Sequence, residues 1–572
     1  MCDMRTINVF TGPMCIWSNI IHGKMRIYNI SQWPYFTSIL VSMFLAGCSP
    51  EPASETTTNT ANTPAIQILR ISNGAEPPDL DPHITTGQPE INIILSLFEG
   101  LVTRDPATLE IIPALADSWQ ISEDRLTYTF HIRPGVTWSN GDPLTVDDIY
   151  YSWQRMLHPS LASENAYHYY TILNAEPYNK GTIDDFNQVG IQVENNSLVF
   201  RLNEPAPMFL EWLAKPTSYP IHRRTIEAHG KISDRGTAWT RAGNMVSNGP
   251  FLLEEWTTNK IIRVRKNPHY WDKVRVKVDE IRFLPVDSMA TEERMFRDGQ
   301  IDMSISGYIP VEKIAWYKQN QPDQISINTV YATYYYMLNT TVKPLDDVKV
   351  RRALAMAIDR QSIVDNVTKG GQLPAYALNP VNPNGYSPIS FIEYNVERAR
   401  QLLAEAGYPD GNGFPPVEIL YNTLESHRQV AQVIQQMWRQ NLNIETTLVN
   451  QEWKVFLDTQ KQMAYQISRS GSGSEVNDPS DFLDGYTAGS GMNHTGWTNA
   501  QYDALVKQGK TVTDPLERNR IFQQAEKILI NELPVIPIYY YTKLNLRSPR
   551  VRGWQDNLLE FVSYKDVYLD DE

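Results

Sequence analysis

Short runs rich in apolar and β-branched residues, typical of β-strands, alternate with helical stretches along the first half of the chain. A helix is predicted at Asp147–Leu157, where two carboxylates lie near the positive end of the helix dipole. The predicted strands are Ile66–Ile71, Tyr128–Ile132, Leu198–Leu202, Ile261–Val264 and Ile281–Val286.

Helical periodicity is stronger in the second half. Between Gln429 and Gln440, apolar residues recur at i, i+3, i+4, i+7 and i+8, and we interpret this stripe as the core-facing side of a helix. Strand-like stretches at Glu418–Tyr421 and Asn443–Val449 flank it, which predicts a βαβ unit. Two more helices are predicted at Asp347–Asp359 and Val396–Ala406, the second ended by Gly407. The pattern indicates a mixed α/β protein with more than one domain.

The apolar run Phe36–Phe44 ends in Leu45-Ala46-Gly47-Cys48, the pattern of a lipoprotein signal peptide. We expect residues 1–47 to be a leader, with translation starting at Met25, and the thiol of Cys48 to carry a lipid. The alternative is an ordinary secretory cleavage site that happens to contain a cysteine. The signal predicts a periplasmic or cell-surface lipoprotein anchored through Cys48.

Residues 48–65 are rich in Pro, Ser, Thr and Asn and poor in large apolar side chains. Such a composition buries too little surface to fold, so we expect a flexible tether between the membrane and the globular body. Two or three acyl chains would anchor the protein stably.

The net charge of the whole chain is −14, and residues 1–47 contribute +2, which leaves −16 from Cys48 onward. This acidic balance argues against nucleic acid or anionic membrane surfaces as partners. The three cysteines are Cys2, Cys15 and Cys48, so the body has no disulfide, thiolate metal site or cysteine nucleophile.

The common catalytic motifs are absent from the sequence, including zinc-binding HExxH, GxSxG, the P-loop and GxGxxG after a strand. We interpret Ser468–Glu475 (SRSGSGSE) as a flexible turn rather than a phosphate loop, and Asp410–Gly413 as a tight turn rather than a calcium loop. The acidic pairs Asp147/Asp148 and Asp346/Asp347 are explained by helix capping. A large exported chain without such motifs favours binding over catalysis.

Five segments resemble the family-5 extracellular solute-binding proteins of ABC importers, in particular the oligopeptide-binding members. The match runs in the expected order from about Leu69 to the C-terminus. The segments are WSNGDPLTVDDIYYSWQR (Trp138–Arg155), NGPF…VRKNPHYWD (Asn248–Asp272), DVKVRRALAMAIDRQSIV (Asp347–Val364), RARQLLAEAGYPDGNGFP (Arg398–Pro415) and NQEWKVFLDT (Asn450–Thr459).

The resemblance implies the α/β, two-lobed periplasmic-binding-protein fold with a third inserted domain, of the large, class II peptide-binding type. Domain I would comprise 66–87, 225–326 and 543–572, domain II 88–224, and domain III 327–542. Ligand would lie between domains I and III and be buried when a hinge closes.

A binder that accepts any peptide sequence must pair the α-ammonium and the α-carboxylate, and must satisfy the backbone as an added strand. The side-chain pockets must be roomy and hydrated. A buried ammonium without a counter-ion is costly, so a carboxylate is expected beside it. In the family, that carboxylate follows an arginine by six residues. Here Arg469 matches the arginine and Glu475 the carboxylate, with Asp478 as the alternative.

The family's other ligand-binding positions are matched only in part by this sequence. His427 aligns with a histidine that meets the carboxylate of longer peptides, although a solvated helix end is an equal alternative. The family's lysine for the C-terminus falls at Thr368, beside Lys369. The remaining ligand positions are Trp453 (a pocket aromatic), Tyr541, Glu76 (in the strand that bonds the ligand backbone), and the two departures Ser472 and Asn165, which replace a tryptophan and a tyrosine.

The sequence therefore predicts a lipid-anchored, monomeric receptor that delivers oligopeptides to an ABC permease, without catalysis, cofactor, metal or nucleic acid. Within the same fold, the alternatives are a binder of murein tripeptide, dipeptide, haem, a nickel complex or an oligosaccharide. An exported hydrolase and a signalling lipoprotein are rivals from other classes. Ser49 after the lipidated cysteine favours anchoring in the outer membrane, whereas a receptor must meet its permease in the inner membrane. The sequence therefore leaves open which of the two membranes holds the protein.

Overall fold

The computed structural model describes residues 66–305, 309–381, 385–451, 453–474 and 476–570. The predicted leader, the lipidation site Cys48, the tether and Glu475 lie outside the described residues, so these assignments stay predictions. Residues from Ala65 onward form one compact unit. Among the described residues, no helix combines the length and the apolarity needed to cross a bilayer.

The strands in the described part of the chain follow in chain order. They are β1 (Ile68–Ser72), β2 (Val102–Arg104), β3 (Ile111–Pro113), β4 (Ala116–Ile121), β5 (Thr127–Ile132), β6 (Ile191–Glu194), β7 (Ser197–Arg201), β8 (Phe251–Thr257), β9 (Ile261–Lys266), β10 (Glu280–Leu284), β11 (Met303–Ser304), β12 (Ile325–Leu338), β13 (Leu373–Pro374), β14 (Val417–Asn422), β15 (Thr446–Gln451), β16 (Ile467–Gly473), β17 (Val535–Leu546), β18 (Val551–Arg552) and β19 (Tyr568–Leu569).

The α-helices are distributed over the same residues. They are α1 (Gln88–Leu97), α2 (Val146–Met156), α3 (Ala175–Asn179), α4 (Phe209–Leu213), α5 (Arg223–His229), α6 (Met289–Arg297), α7 (Val311–Asn320), α8 (Val348–Met356), α9 (Arg360–Ile363), α10 (Val396–Glu405), α11 (Glu425–Leu442), α12 (Trp453–Lys461), α13 (Ser480–Asp484), α14 (Ala500–Thr511) and α15 (Pro515–Glu532).

A five-stranded sheet has the order β11-β1-β10-β9-β8. Strand β1 is parallel to both of its neighbours, whereas β10, β9 and β8 are antiparallel. Leu69 and Ile71 on β1 alternate with polar residues and are fully buried beside Ile281 and Phe283 of β10. Burial of every second residue from Leu69 is the period-2 pattern of a strand, which confirms the strand predicted at Ile66–Ile71.

A second, antiparallel sheet has the order β4-β5-β7-β6 and is built from residues 116–201. Its core is aromatic, with the rings of Phe130 and Phe200 5.7 Å apart and edge to face. Helix α2 begins with a capping box, in which Thr145 and Asp148 bond each other's backbone N–H. The predicted capping role of Asp148 is therefore confirmed.

The largest sheet has the order β13-β17-β12-β16-β14-β15. The predicted βαβ unit is confirmed, because β14 and β15 are parallel and α11 connects them. Trp438 on the buried face of α11 donates its indole N–H to the carbonyl of Leu354 at 2.9 Å. Helix α11 is longer than the predicted Gln429–Gln440 at both ends. It begins at Glu425 and ends at Leu442, where Asn443 caps it in the left-handed conformation.

The interpretation of Ser468–Glu475 as a turn is wrong for residues 468–473, which belong to β16 and pair with β12 along their whole length. Strand β14 pairs with β16 only at Ile467 and Ser468. Glycine in this strand has a packing reason. A Cβ on Gly471 would lie 3.0 Å from the hydroxyl of Tyr541. By contrast, the tight turn at Asp410–Gly413 is confirmed, with positive φ at Asp410, Gly411 and Gly413.

Candidate functional site

Two adjoining cavities, of about 250 and 620 Å³, form a cleft between the sheets. Both are lined by Gln88 at the start of α1, by Val330 and Ala332 of β12, and by Glu560 of the C-terminal segment. Ligand sites in proteins usually occupy roughly 300–1,000 Å³, so the cleft has the size of a binding site.

The pairing between β12 and β17 is interrupted beside the cleft. Thr329 pairs with Thr542 and Thr333 pairs with Tyr540, so three residues of β12 lie opposite Tyr541 alone. Within this bulge, the Tyr331 N–H donates to the carbonyl of Leu558 at 2.9 Å, and the Ser474 N–H donates to the Tyr331 carbonyl at 2.8 Å. The bulge thus joins the C-terminal segment to the end of β16.

Arg469 on β16 has an aromatic environment. Its Nη2 donates to the hydroxyl of Tyr541 at 2.6 Å, and its guanidinium carbon lies 4.8 Å from the centre of the Tyr334 ring. Burial lowers the pKa of Arg469, but Tyr541 and Tyr334 outweigh this effect and the pKa is raised. Among the described residues, no carboxylate lies within ion-pair distance, and the buried Nε has no hydrogen-bond partner. The cluster suits an incoming carboxylate.

His427 lies in the first turn of α11 and belongs to the same cluster. Its ring centre is 5.6 Å from that of Tyr334, and the residue is 6% exposed. The alternative of a solvated helix end is therefore wrong. Burial, followed by the charge of Arg469, lowers the pKa of His427 to about 3, so the imidazole is neutral.

Asp478 is unsuited to pair a ligand ammonium. Its carboxylate is 4% exposed and forms a buried ion pair with Arg518, whose Nη2 donates to Oδ1 at 2.9 Å. The N–H of Ser480 donates to the same oxygen at 2.9 Å. Breaking a buried pair costs about 3–5 kcal/mol, so we discard Asp478 as the alternative to Glu475.

The carboxylate of Glu76 has a structural role, and the expectation that its segment bonds the ligand backbone stays a prediction. The carboxylate accepts hydrogen bonds from the Trp256 indole at 2.8 Å and from the Asn259 N–H at 3.1 Å, in the β8–β9 hairpin. The adjacent residues Gly74 and Ala75 line the larger cavity. The segment therefore lies at the cleft although the Glu76 carboxylate binds elsewhere.

Of the remaining predicted residues, only Asn165 lies in the wall of a described cavity. Asn165 lines the smaller cavity, and its amide donates to the Thr85 carbonyl at 3.4 Å. Ser472 pairs with Thr333 in the sheet, and Trp453 begins α12. Lys369 is exposed and left-handed after the π-helical turn Val364–Thr368.

The position of Lys369 relative to the cleft follows from its neighbour. Gly370 accepts a 2.9 Å hydrogen bond from the hydroxyl of Thr542, which lines the larger cavity. The structure thus brings Arg469, Tyr541 and His427 into one cluster and leaves Lys369 near the cavity but outside its wall.

Residues 110–494 match the family model described as bacterial extracellular solute-binding proteins, family 5 Middle. This chain belongs to family 5 of the bacterial extracellular solute-binding proteins. The periplasmic oligopeptide-binding protein OppA of Escherichia coli K12 is 34% identical over 501 residues, which cover 85% of this chain and 90% of that protein.

Solved structures of similar proteins have the same mixed α/β fold. The unliganded, open murein tripeptide-binding protein MppA of Escherichia coli matches with a TM-score of 0.76 and 32% identity, over 88% of this chain and 98% of its own. Haemophilus influenzae OppA, in complex with the peptide RPPGFSPFR, matches with a TM-score of 0.72 and 30% identity, over 88% and 99%. The predicted family fold is confirmed, whereas the domain boundaries remain predictions.

This family-5 protein also carries cleft residues that sequence reasoning missed. Lys215 and Arg104 line the smaller cavity, and Glu560 pairs with Lys543 between the two cavities. Lys215 lies in the stretch LAKPTSYP, whose composition gives no sign of a ligand pocket. Only the fold brings it beside the end of β16.

Proposed function

We propose that this family-5 protein is an extracytoplasmic receptor that binds oligopeptides in the cleft and delivers them to an ABC import permease. The proposal is carried by the environment of Arg469. Its half-buried guanidinium donates to the Tyr541 hydroxyl and lies 4.8 Å from the centre of the Tyr334 ring. The relatives named for oligopeptides and murein tripeptide support the same ligand class.

In this proposal the peptide termini are recognised separately. Arg469 pairs the α-carboxylate, and Glu475, six residues further along, pairs the α-ammonium. Tyr541 and the neutral His427 border the carboxylate end, and Ser472 and Asn165 leave polar space for side chains.

The proposal extends to the whole transport cycle. Peptide binding favours closure of the lobes, and the closed form is what the permease reads. Lipidation at Cys48 keeps the receptor at the membrane that holds its permease. The chain performs no chemistry on the peptide.

Native mass spectrometry of the purified protein, followed by incubation with a defined peptide pool, tests this function. We expect bound masses of short peptides that exchange with the pool and leave it intact. Cleavage products, or a bound ligand that is not a peptide, would contradict the proposal and favour a hydrolase or another solute.

A further inference from the structure

Three side-chain amides form a hydrogen-bonded relay in the wall of the larger cavity. Nε2 of Gln88 donates to Oδ1 of Asn92 at 2.9 Å, and Nδ2 of Asn92 donates to Oδ1 of Asn73 at 3.1 Å. Nδ2 of Asn73 donates in turn to the carbonyl of Pro89 at 2.9 Å. Asn73 and Asn92 are each 3% exposed, and all four residues line the cavity. The relay thus joins the end of β1 to the first turns of α1.

The carbonyl of Pro89 fixes the direction of the whole relay. A carbonyl oxygen can only accept, so Asn73 must turn its NH₂ group toward it. The Asn73 oxygen then faces Asn92, whose own oxygen is left to accept from Gln88. Reversing any one amide would bring two donors or two acceptors together, which is costly for buried groups. The orientation of the Gln88 amide is therefore set in advance of ligand binding.

This orientation decides which group Gln88 offers to a ligand. Because its nitrogen is directed at Asn92, its oxygen Oε1 points away from the relay, and no donor among the described residues reaches that oxygen. Gln88 is exposed and lies where the two cavities meet, since it lines both together with Val330 and Ala332. The junction of the cavities therefore presents an oriented, uncharged acceptor.

The matching group of a peptide is a backbone amide N–H. When side chains occupy the two cavities, the backbone between them must pass the junction. A ligand ammonium is a poorer match, because a neutral amide leaves its charge without a counter-ion. Glu560, the carboxylate that lines both cavities, is already paired with Lys543.

We infer that Oε1 of Gln88 accepts a hydrogen bond from one internal amide N–H of the bound peptide, and that Asn92 and Asn73 position it for this contact. The inference rests on the proposed function and adds to it a contact with the middle of the ligand. Since every peptide carries such an N–H, the contact is independent of side-chain sequence. An acceptor that is oriented before binding loses less conformational entropy when the ligand arrives.

Titration calorimetry with Ala-Ala-Ala-Ala and its three depsipeptides tests the inference, since each depsipeptide replaces one amide link by an ester and so removes one backbone N–H. Gln88→Met keeps the length of the side chain but offers no oxygen. For one of the three esters, we expect the loss of affinity relative to the all-amide peptide to be about three- to tenfold smaller in Gln88→Met than in the wild-type protein. For the other two esters, the losses should be the same in both proteins.

The matched control is Gln361→Met. Gln361 is likewise exposed and donates to the side chain four residues further along, that of Asp365, at 3.0 Å. This variant should reproduce the wild-type loss for every ester. Gln88→Leu removes the same oxygen as Gln88→Met and serves as a second variant.

Equal losses in the wild-type protein and Gln88→Met for all three esters would overturn the inference while leaving peptide binding intact. A uniform weakening of all four ligands in the variant would overturn it too, because Gln88 would then act on the cavity wall or on a charged end of the peptide. Absence of binding of Ala-Ala-Ala-Ala to the wild-type protein would instead overturn the proposed function.

Discussion

The side chains of Arg469 and Tyr541 meet at 2.6 Å across the face of the large sheet, from strands β16 and β17 that are separated by β12. Tyr541 is also the residue that lies alone opposite the three-residue bulge of β12. The residue at the break in the sheet therefore fixes the arginine proposed to bind the ligand carboxylate. Small residues at this end of β16, such as Gly471, make the contact possible.

Arg469→Gln is expected to weaken binding of Ala-Ala-Ala by about 10- to 100-fold, since it removes hydrogen bonds between charged groups. The C-terminally amidated peptide should lose much less. Tyr541→Phe should have a smaller effect of about 0.5–1.5 kcal/mol, because the arginine remains but is less fixed. Calorimetry with both peptides measures these effects. Equal losses for acid and amide would mean that Arg469 does not bind the carboxylate.

Glu475→Gln is expected to weaken binding of free-amine peptides far more than binding of their N-acetylated forms, because only the former carry a positive charge at that end. Competition against a fluorescent peptide measures both affinities. Glu425→Gln is the matched control, since Glu425 is exposed and pairs with Arg428 on the surface. A uniform loss for both peptide forms in Glu475→Gln would refute the assignment.

Asp478→Ala is expected to destabilise the fold by about 3–5 kcal/mol, because it leaves Arg518 buried without its carboxylate. The matched control is Asp484→Ala, which removes an exposed pair with Lys510 and should change stability little. Urea denaturation monitored by tryptophan fluorescence compares the two variants. If Asp478→Ala were as stable as the control but failed to bind peptides, Asp478 would be a ligand residue after all.

The sequence was most informative where a pattern acts locally. The period of α11 and its flanking strands is enough to predict the βαβ unit. Of the acidic pairs assigned to capping, Asp148 completes the capping box in the first turn of α2, and Asp347 caps α8 by accepting the Lys349 N–H at 2.8 Å. Local propensity fails for β16, because Ser and Gly favour turns in isolation whereas pairing along β12 holds residues 468–473 extended here.

The parts of the site that could not be predicted depend on contacts between residues far apart in the chain. The pairing of Asp478 with Arg518 spans 40 residues, and the bonds from Glu76 to Trp256 and Asn259 span about 180. Only the fold makes these carboxylates structural. The same holds for Lys215, which the fold brings beside the residues that precede Glu475.

Acidification is expected to destabilise the protein through its buried histidines. The pKa of His427 is lowered to about 3 and that of His83 to about 4, each chiefly by burial and then by a neighbouring arginine. In the unfolded chain these two histidines take up protons near pH 6.5, whereas in the folded protein they stay neutral at that pH. The contribution of these neutral histidines to the free energy of unfolding is therefore fully present above pH 6.5. It is lost as the pH falls toward the folded-state pKa values, by about 1 kcal/mol per histidine between pH 7.5 and 5.5.

Urea denaturation at pH 7.5 and 5.5 measures this loss, and His427→Gln should reduce it relative to the wild-type protein. Glu526 acts in the opposite direction, because burial raises its pKa to about 6 and its ionisation destabilises the fold as the pH rises. Comparing wild type with His427→Gln cancels that contribution. The same pH dependence in both proteins would contradict the neutral, buried state of His427.

Titration calorimetry that compares Ala-Ala-Ala with N-acetyl-Ala-Ala-Ala-amide tests whether the cleft recognises both charged ends of a peptide. Both peptides contain the same three residues, and blocking replaces the α-ammonium by an acetamide and the α-carboxylate by a neutral carboxamide. We expect the free peptide to bind and the affinity for the blocked peptide to be lower by about 100-fold or more, since two charge-assisted contacts are lost. Equal affinities for the two peptides, or binding of neither, would contradict it.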